Sequence, residues 1–210
     1  MKLGEIKLEA LRLMFTNVNE DLIIEQIDNY KDDESYGSYL ANMPGSINRC
    51  FSLIEEKRVL PQKSHYLNHL DGTVSGKYIR FMLDDVIDDF FDIVRVICES
   101  SNGEYIGDYE YYKEGNTLVL KYDTGANYIV VYSPKIERIS SETSENTEIN
   151  IPDGIACEIP YFIKGDLFRD DEPDEAQEAR NWFEGNLGEK AMAPVNKTSA
   201  VQSIFSQTEW

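Results

Sequence analysis

The chain has no long apolar run and few cysteines. No stretch reaches the roughly 18 consecutive apolar residues that a membrane-spanning helix requires, so we do not expect a membrane protein. Glu5 and Glu9 interrupt the N-terminal region, which argues against a secretory signal. The three cysteines, Cys50, Cys98 and Cys157, are odd in number and far apart, and so predict neither a disulfide framework nor a zinc site. We expect three reduced thiols, each buried or half-buried.

Motifs that carry catalysis are lacking as well. The sequence contains no Gly-x-Ser-x-Gly, no phosphate-binding loop and no Gly-x-Gly-x-x-Gly. His65 and His69 are the only histidines, and a helix would place both imidazoles on one face. No glutamate follows His65 and no cysteine is close in sequence, so the pair does not complete a zinc site. The pattern predicts a protein that is not an enzyme and needs no cofactor or metal.

Basic residues are also scarce, and the formal net charge is −19. Such a balance disfavours binding to nucleic-acid phosphates, which depends on Lys and Arg. Three interpretations remain: a solvated acidic surface, the lining of a DNA conduit, or mimicry of DNA towards a basic partner. The acidic pairs Asp84-Asp85 and Asp88-Asp89 lack the glycine and the final glutamate of a calcium-binding loop, so we expect a solvated turn there.

The N-terminal third has the apolar spacing of helices. Residues 3–15 predict an amphipathic helix, and Asn19 can cap a short second one. Pro44 is suited to the first turn of a third helix, which would end before Pro61. The apolar stripe of this third helix consists of Ile47, Cys50, Phe51 and Ile54.

The middle of the chain changes to the alternation of strands. Residues 78–83, 89–98 and 128–132 predict strands, and residues 108–122 predict a hairpin that turns at Gly115-Asn116. We assign Phe91, Ile93 and Ile97 to one face of the second of these strands and Val94 and Val96 to the other, as in a central strand. Residues 140–150 are polar and indicate a mobile connection.

Two further helices are predicted after residue 151. An apolar residue recurs every fourth position, a stripe that must pack against the core: Ile155, Ile159, Ile163 and Leu167. Pro160 lies inside this pattern, so the helix should kink or restart there. Pro173 opens the last helix, whose packing face includes Phe183, and Gly185 and Gly188 mark its end.

The last residues, 189–210, differ from the rest in being nearly neutral and rich in Ser, Thr, Ala and Gln. This tail nevertheless carries Ile204, Phe205 and Trp210, which a short tail cannot bury by itself. Two interpretations stay open: a disordered terminus, or a segment that docks on a neighbouring protein.

Several patches, in this order, resemble the head–tail adaptor (connector) proteins of tailed bacteriophages. The first is the helix start Met43-Pro-Gly-Ser-Ile-Asn-Arg, and the second is the hairpin Tyr111-Tyr-Lys-Glu-Gly-Asn-Thr-Leu-Val-Leu. The third is Tyr128-Ile-Val-Val-Tyr, and the last joins Ile151-Pro-Asp to the helix, acidic turn, proline and helix that follow. Ile159-Pro160 stands where these proteins usually have Leu-Pro. The patches cover most of residues 40–187.

The resemblance implies a structural virion protein of the neck, assembled in the host bacterial cytoplasm. Proteins of this kind form a ring, usually twelvefold, beneath the portal protein, extend the DNA channel and dock the next neck or tail component. The genome would pass through without specific binding, and no membrane would be involved. The composition leaves a rival interpretation open: an acidic monomeric inhibitor, such as an immunity protein or DNA mimic, of a basic toxin or nuclease.

The expected fold class is α+β. A helical bundle core would be formed by residues 1–75 and 151–188. An antiparallel β lobe would be inserted between them at residues 76–150, and residues 189–210 would extend as a tail.

Overall fold

Helices and antiparallel strands occupy different parts of the chain. A computed structural model describes residues 1–15, 24, 27, 30–100, 105–122 and 126–192. Contacts divide the chain into a first unit, Met1–Leu60 with Ile136–Ala193, and a second unit that contains Pro61–Lys135. Helices dominate the first unit, and the second contains two antiparallel sheets, so the predicted α+β class is confirmed.

The first helix, α1, spans Leu3–Met14, close to the prediction. Its first turn is capped by a distant segment, because the N–H groups of Leu3 and Gly4 donate to the carbonyl oxygens of Thr147 and Glu145, both at 2.9 Å. These N–H groups have no partner inside the helix, so the loop satisfies them. The polar connection after the β strands is therefore anchored to α1 rather than free.

The second helix, α2, spans Gly37–Glu56 and so begins about two turns before the predicted start at Pro44. Proline inside a helix removes one hydrogen bond and costs about 3 kcal/mol. The added turns bury Leu40 and Met43 in the core, and each fully buried side chain contributes roughly 1.5–3 kcal/mol. The burial of these two residues offsets the free-energy cost of Pro44, and the helix therefore continues through this proline.

The second unit is built from two four-stranded antiparallel sheets with orders β1-β8-β4-β5 and β2-β3-β7-β6. The strands are β1 Lys63–Leu67, β2 Thr73–Ser75, β3 Tyr78–Met82, β4 Phe90–Ser100, β5 Tyr105–Asp108, β6 Tyr111–Glu114, β7 Thr117–Lys121 and β8 Ala126–Pro134. A one-turn helix, α3, at Leu83–Val86 separates β3 from β4. The predicted hairpin is confirmed as β6 and β7, and Gly115 in its turn has φ of 62°, a conformation that favours glycine.

Strand β4 lies between β8 and β5, as expected for a central strand. The predicted faces are wrong, however, because Ile93 and Ile97 belong to different clusters. The register shifts between Ile93 and Arg95, and such a bulge adds one residue and reverses which side later residues face. A strict period of two, as used in the prediction, cannot anticipate that shift.

The contact-based units divide the chain after residues 60 and 135, whereas the sequence analysis placed the divisions at 75 and 150. Strand β1 accounts for the first difference, because it pairs with β8 along its whole length. Ile136, Ile139 and Ile149 account for the second, since all three are buried among residues of the first unit.

The C-terminal helices are α4 at Asp153–Ala156, α5 at Ile159–Leu167 and α6 at Pro173–Met192. Pro160 lies in the first turn of α5, so the predicted restart is confirmed. Pro173 opens α6 as predicted, and two acidic residues in its first turn interact favourably with the helix dipole.

The predicted end of α6 at Gly185 and Gly188 is wrong, because the helix continues to Met192. Glycine inside a helix costs about 1 kcal/mol relative to alanine, which is too little to end a helix that has packing to gain. Leu187, between the two glycines, is 2 % exposed and supplies that packing.

Close contact of α5 with α6 depends on Gly165. A Cβ atom at this position would lie 3.0 Å from the carbonyl oxygen of Ala176 and 3.2 Å from the amide nitrogen of Arg180. Both neighbours are backbone atoms of α6 and cannot turn away. The two helices therefore approach as closely as they do only because residue 165 has no side chain.

Candidate functional site

Four aromatic rings meet where helix ends converge in the first unit. Phe15 follows α1, Tyr36 precedes α2, Tyr39 lies in its first turn, and Phe168 follows α5. Phe15 contacts the other three edge to face, with ring centroids 4.9 to 5.6 Å apart. Together with the acidic residues described next, these rings line a cavity of about 580 Å³, here called the aromatic cleft. This volume is within the range of ligand-binding pockets.

Three carboxylates, Asp171, Glu172 and Glu175, rim the aromatic cleft. They belong to the acidic turn before α6 and to its first turn. The Tyr39 hydroxyl donates to Asp171 at 2.8 Å, and this hydrogen bond, followed by partial burial, raises the pKa of Tyr39. The phenol consequently stays protonated and remains a donor at neutral pH.

Lys164 is the only cation among the described residues of the cleft. Its Nζ donates to the carbonyl oxygen of Leu13 at 2.9 Å and lies 2.7 Å from Glu175 Oε2. The same ammonium group lies over the Phe168 ring, 5.7 Å from its centroid. The lysine thus neutralises one carboxylate and satisfies the end of α1, while the rim keeps a net negative charge.

Chemically, the aromatic cleft combines ring faces with carboxylates. Ring faces attract cations, and the exposed carboxylates of the rim can pair with them. The described lining residues include neither histidine nor cysteine. The geometry suits the docking of a Lys or Arg side chain from another protein.

A second aromatic feature, called the aromatic stack, lies on the surface of the same unit. Tyr161 of α5 and Trp182 of α6 stack with centroids 5.4 Å apart and planes at 28°. The indole nitrogen of Trp182 donates to Glu158 Oε2 at 3.2 Å. Trp182 is nevertheless 54 % exposed, which is unusual for so large an apolar side chain.

A third surface belongs to the second unit and is the solvent side of sheet β2-β3-β7-β6, called the outer sheet face. Register pairs Tyr112 with Val119 and Val119 with Arg80, so their side chains share one side of the sheet. Tyr78 pairs with Lys121 on that same side. Tyr78, Met82 and Tyr112 are the exposed apolar members of this face.

The residues that the sequence assigned to core packing lie within the first unit. Ile155, Ile159, Ile163 and Phe183 are buried in its core, and Leu167 packs against that core while partly exposed. They carry the fold and contribute no side chain to the aromatic cleft. The tail residues assigned to partner docking, Ile204, Phe205 and Trp210, lie outside the described residues.

The two histidines do not lie on one helix. His65 is in β1, and His69 begins a one-turn 3₁₀ helix at His69–Asp71. Among the described residues, no group of three or more His, Cys, Asp or Glu could hold a metal ion.

The acidic run after β3 is structured. Asp84 and Asp85 lie in α3, and Asp84 accepts from the Asn116 side chain at 2.5 Å. Asp88 is exposed, whereas Asp89 accepts from Lys63 at 2.5 Å. The run lies between β3 and β4, and Asp84, Asp85 and Asp88 are exposed, as expected for a solvated turn, while Asp84 and Asp89 also bind side chains of neighbouring elements.

The cysteines only partly follow the prediction. Cys50 and Cys98 are buried free thiols, whereas Cys157 is exposed, contrary to expectation. Burial, followed by the charge of Asp166, raises the pKa of the Cys50 thiol. Cys157 is exposed because it caps the short helix α4 at the surface.

The aromatic cleft was not found by sequence reasoning, which singled out apolar stripes. Its rings come from three helix ends that are far apart in sequence, so no periodicity connects them. The only local feature of the sequence that pointed to the aromatic cleft was the acidic turn between α5 and α6, next to Phe168.

Comparison with protein-family models gives no match for this chain, and comparison with curated proteins gives none either. Within the described residues, no helix combines the length and apolar character needed to cross a bilayer.

Proposed function

We propose that this chain is a head–tail adaptor of a tailed bacteriophage virion. In this role, copies of the chain form a ring beneath the portal protein, extend the DNA channel and dock the next neck or tail component. The helices of the first unit are the bundle core of the subunit, the β strands are its inserted lobe, and the C-terminal tail latches onto a neighbour.

The observation that carries the proposal is the order of the elements. The chain starts in the helical unit, leaves it after residue 60 for the sheets, and returns at residue 136 to end in helices. The return leads to α5, an acidic turn and α6, with a proline in the first turn of each helix. This order is the one in which the four patches resemble phage adaptors.

Charge supports the same role. A wall with net negative charge repels DNA phosphates, which lowers the barrier to sliding and prevents the genome from adhering. Weak contacts repeated around a closed ring gain strength through high effective concentration, so each latch contact need not be strong.

The aromatic cleft is, within this proposal, a docking point for a basic side chain of the portal or of the next neck component. Its rim remains acidic after Lys164 is paired, and its rings are already packed against one another. A rigid site of this kind binds without a large entropic cost of ordering.

The test is complementation of virus assembly in vitro. DNA-filled heads from a phage that lacks this chain are mixed with purified protein and tails, and infectious particles are counted. We expect the wild type to restore infectivity and Asp171→Asn with Glu172→Gln to restore it less well. Exchange of Glu34 and Glu137, which are exposed and outside the cleft, for Gln removes the same charge and serves as the control.

Failure of the wild type to restore infectivity would overturn the proposal. Tight one-to-one binding to a basic toxin or nuclease would instead assign the chain to the class of acidic inhibitors. Stoichiometry distinguishes the two roles, because an inhibitor acts as a monomer and an adaptor acts as an assembly of many copies.

A further inference from the structure

The outer sheet face carries large exposed apolar side chains among its polar residues. Tyr78, Met82 and Tyr112 are 44 %, 61 % and 66 % exposed. Val119, at the centre of the row, is only 4 % exposed because its neighbours on the adjacent strands cover it. A sheet face of this composition, with aromatic side chains and a methionine around a covered centre, is typical of a protein interface.

The cations on this face have no partner among the described residues. Neither Arg80 nor Lys121, nor Lys77 in the adjoining turn, forms an ion pair or side-chain hydrogen bond with any described residue. Other cations of the same unit are paired: Lys63 with Asp89, Lys113 with Asp92 and Arg95 with Asp108. On the described strands of this face, Glu114 is the one acidic residue against Arg80 and Lys121. In a chain where acidic residues outnumber basic ones 39 to 20, a face with an excess of unpaired cations indicates an acidic partner.

The chain itself carries a surface of complementary chemistry. Trp182 of the aromatic stack is exposed on α6. Glu178 lies one turn before Trp182 and Glu189 two turns after it, so all three share one side of the helix. Both glutamates are exposed, and neither pairs with a described cation. This surface is complementary to the outer sheet face, because the exposed tryptophan can pack against tyrosine and methionine side chains and the acidic residues can pair with arginine.

We propose that the outer sheet face of one copy binds the Trp182 side of α6 in the next copy. Aromatic and methionine side chains would cover Trp182, while Arg80 and Lys121 would pair with Glu178 and Glu189. The contact joins two different surfaces, so a pair of copies keeps one free surface of each kind and further copies can add. This inference rests on the proposed ring, since it names the lateral contact from which a ring is built.

The experiment is a charge exchange between the two surfaces, read by sedimentation velocity of the full chain over a wide concentration series. The sheet variant carries Arg80→Glu and Lys121→Glu, and the helix variant carries Glu178→Lys and Glu189→Lys. We expect the wild type to self-associate and each variant alone to associate at least about tenfold more weakly, because like charges then meet. An equimolar mixture should regain association, since each acidic surface again finds a basic one.

A matched control replaces Lys57 and Lys135 by Glu. Both are exposed and without a described ion-pair partner, and the double change alters net charge as much as the sheet variant does. It should associate like the wild type. Full loss of association in this control, or a mixture of sheet and helix variants that stays monomeric, would overturn the proposed contact.

Two other results would overturn it. One is a wild type that stays monomeric at every concentration. The other is binding of a fluorescent single-stranded oligothymidylate that the sheet variant abolishes, which would assign the outer sheet face to nucleic acid. Because no portal is present, these outcomes are independent of the infectivity assay, and either proposal can fail alone.

Discussion

At the scale of single residues, the Lys7–Glu145 pair is among the most constrained features of the first unit. The two side chains are 5 % and 10 % exposed and lie 2.7 Å apart. They join α1 to the segment whose carbonyl oxygens cap its first turn. Removal of one member leaves a buried charge without its partner, which typically costs about 3–5 kcal/mol.

We therefore predict that Lys7→Met lowers the free energy of unfolding by roughly 3 kcal/mol. The double variant Lys7→Met with Glu145→Leu should recover most of the loss, because no unpaired charge remains. A double-mutant cycle tests this prediction: urea denaturation gives the free energy of unfolding of the wild type, both single variants and the double variant. Equal losses in Lys7→Met and the double variant would contradict the account.

A second residue-scale prediction concerns Asp89 in the β unit. Partial burial opposes its ionisation, but hydrogen bonds from Lys63 and Tyr132 outweigh that effect and lower the pKa of Asp89 below its ordinary value of 3.8. A carboxyl group with a lowered folded-state pKa stabilises the fold above its unfolded-state pKa, and the contribution is lost as the pH falls through the folded-state value.

Asp89→Asn should accordingly be less stable than the wild type at neutral pH, and the difference should shrink as the pH falls below about 4. Thermal melts of both proteins, from neutral pH down to acidic pH, measure this difference in stability. Asp88→Asn is the matched control, because Asp88 is exposed and its side chain has no described partner. A gap that stays constant down to low pH would refute the role of Asp89.

Polar side chains that pair across the first unit could not be predicted from the sequence. Glu55 on α2 is 2 % exposed and accepts from the backbone N–H of Ile136 at 2.7 Å and from Arg138. Asn48, two turns earlier, both donates to and accepts from the backbone of Ile139. In sequence these residues look like the solvated side of a helix. Their partners lie more than 80 positions away, and no local pattern encodes such a pairing.

At the scale of elements, the sequence correctly predicted turns and helix starts where a glycine or a proline favours one particular backbone conformation. Gly115 fixed the hairpin turn, and Pro160 and Pro173 fixed the starts of α5 and α6. The predicted start of α2 and the predicted end of α6 were wrong because tertiary burial outweighs the cost of proline or glycine in a helix, about 3 and about 1 kcal/mol respectively. Strand β1 was missed because its residues do not alternate cleanly, and its pairing with β8 alone makes it a strand.

The α5–α6 contact gives an element-scale prediction. Gly165→Ala should destabilise the protein by about 1–3 kcal/mol, since the added methyl group forces apart two packed backbones. Gly185→Ala, in α6, meets no atom within 4 Å and should instead stabilise it by roughly 0.5–1 kcal/mol through helix propensity. The denaturant midpoints of the two variants, compared with that of the wild type, show which substitution destabilises the protein and which stabilises it. Equal effects at both glycines would contradict the close contact.

At the scale of the whole molecule, the sequence indicated the α+β class and the presence of sheets between helices. It did not show the aromatic cleft, the aromatic stack or the outer sheet face, since each is assembled from residues that are distant in sequence. In the proposed ring, these surfaces would be the places where the chain binds its neighbours.

The proposed function requires that many copies of this chain assemble on one portal. Mass photometry tests this requirement, with portal rings from the same genome incubated alone and with the purified chain. We expect portal particles to gain the mass of a full ring of copies, and to lose most of that gain when residues 190–210 are deleted. A chain that remains monomeric and leaves the portal mass unchanged would refute assembly on the portal.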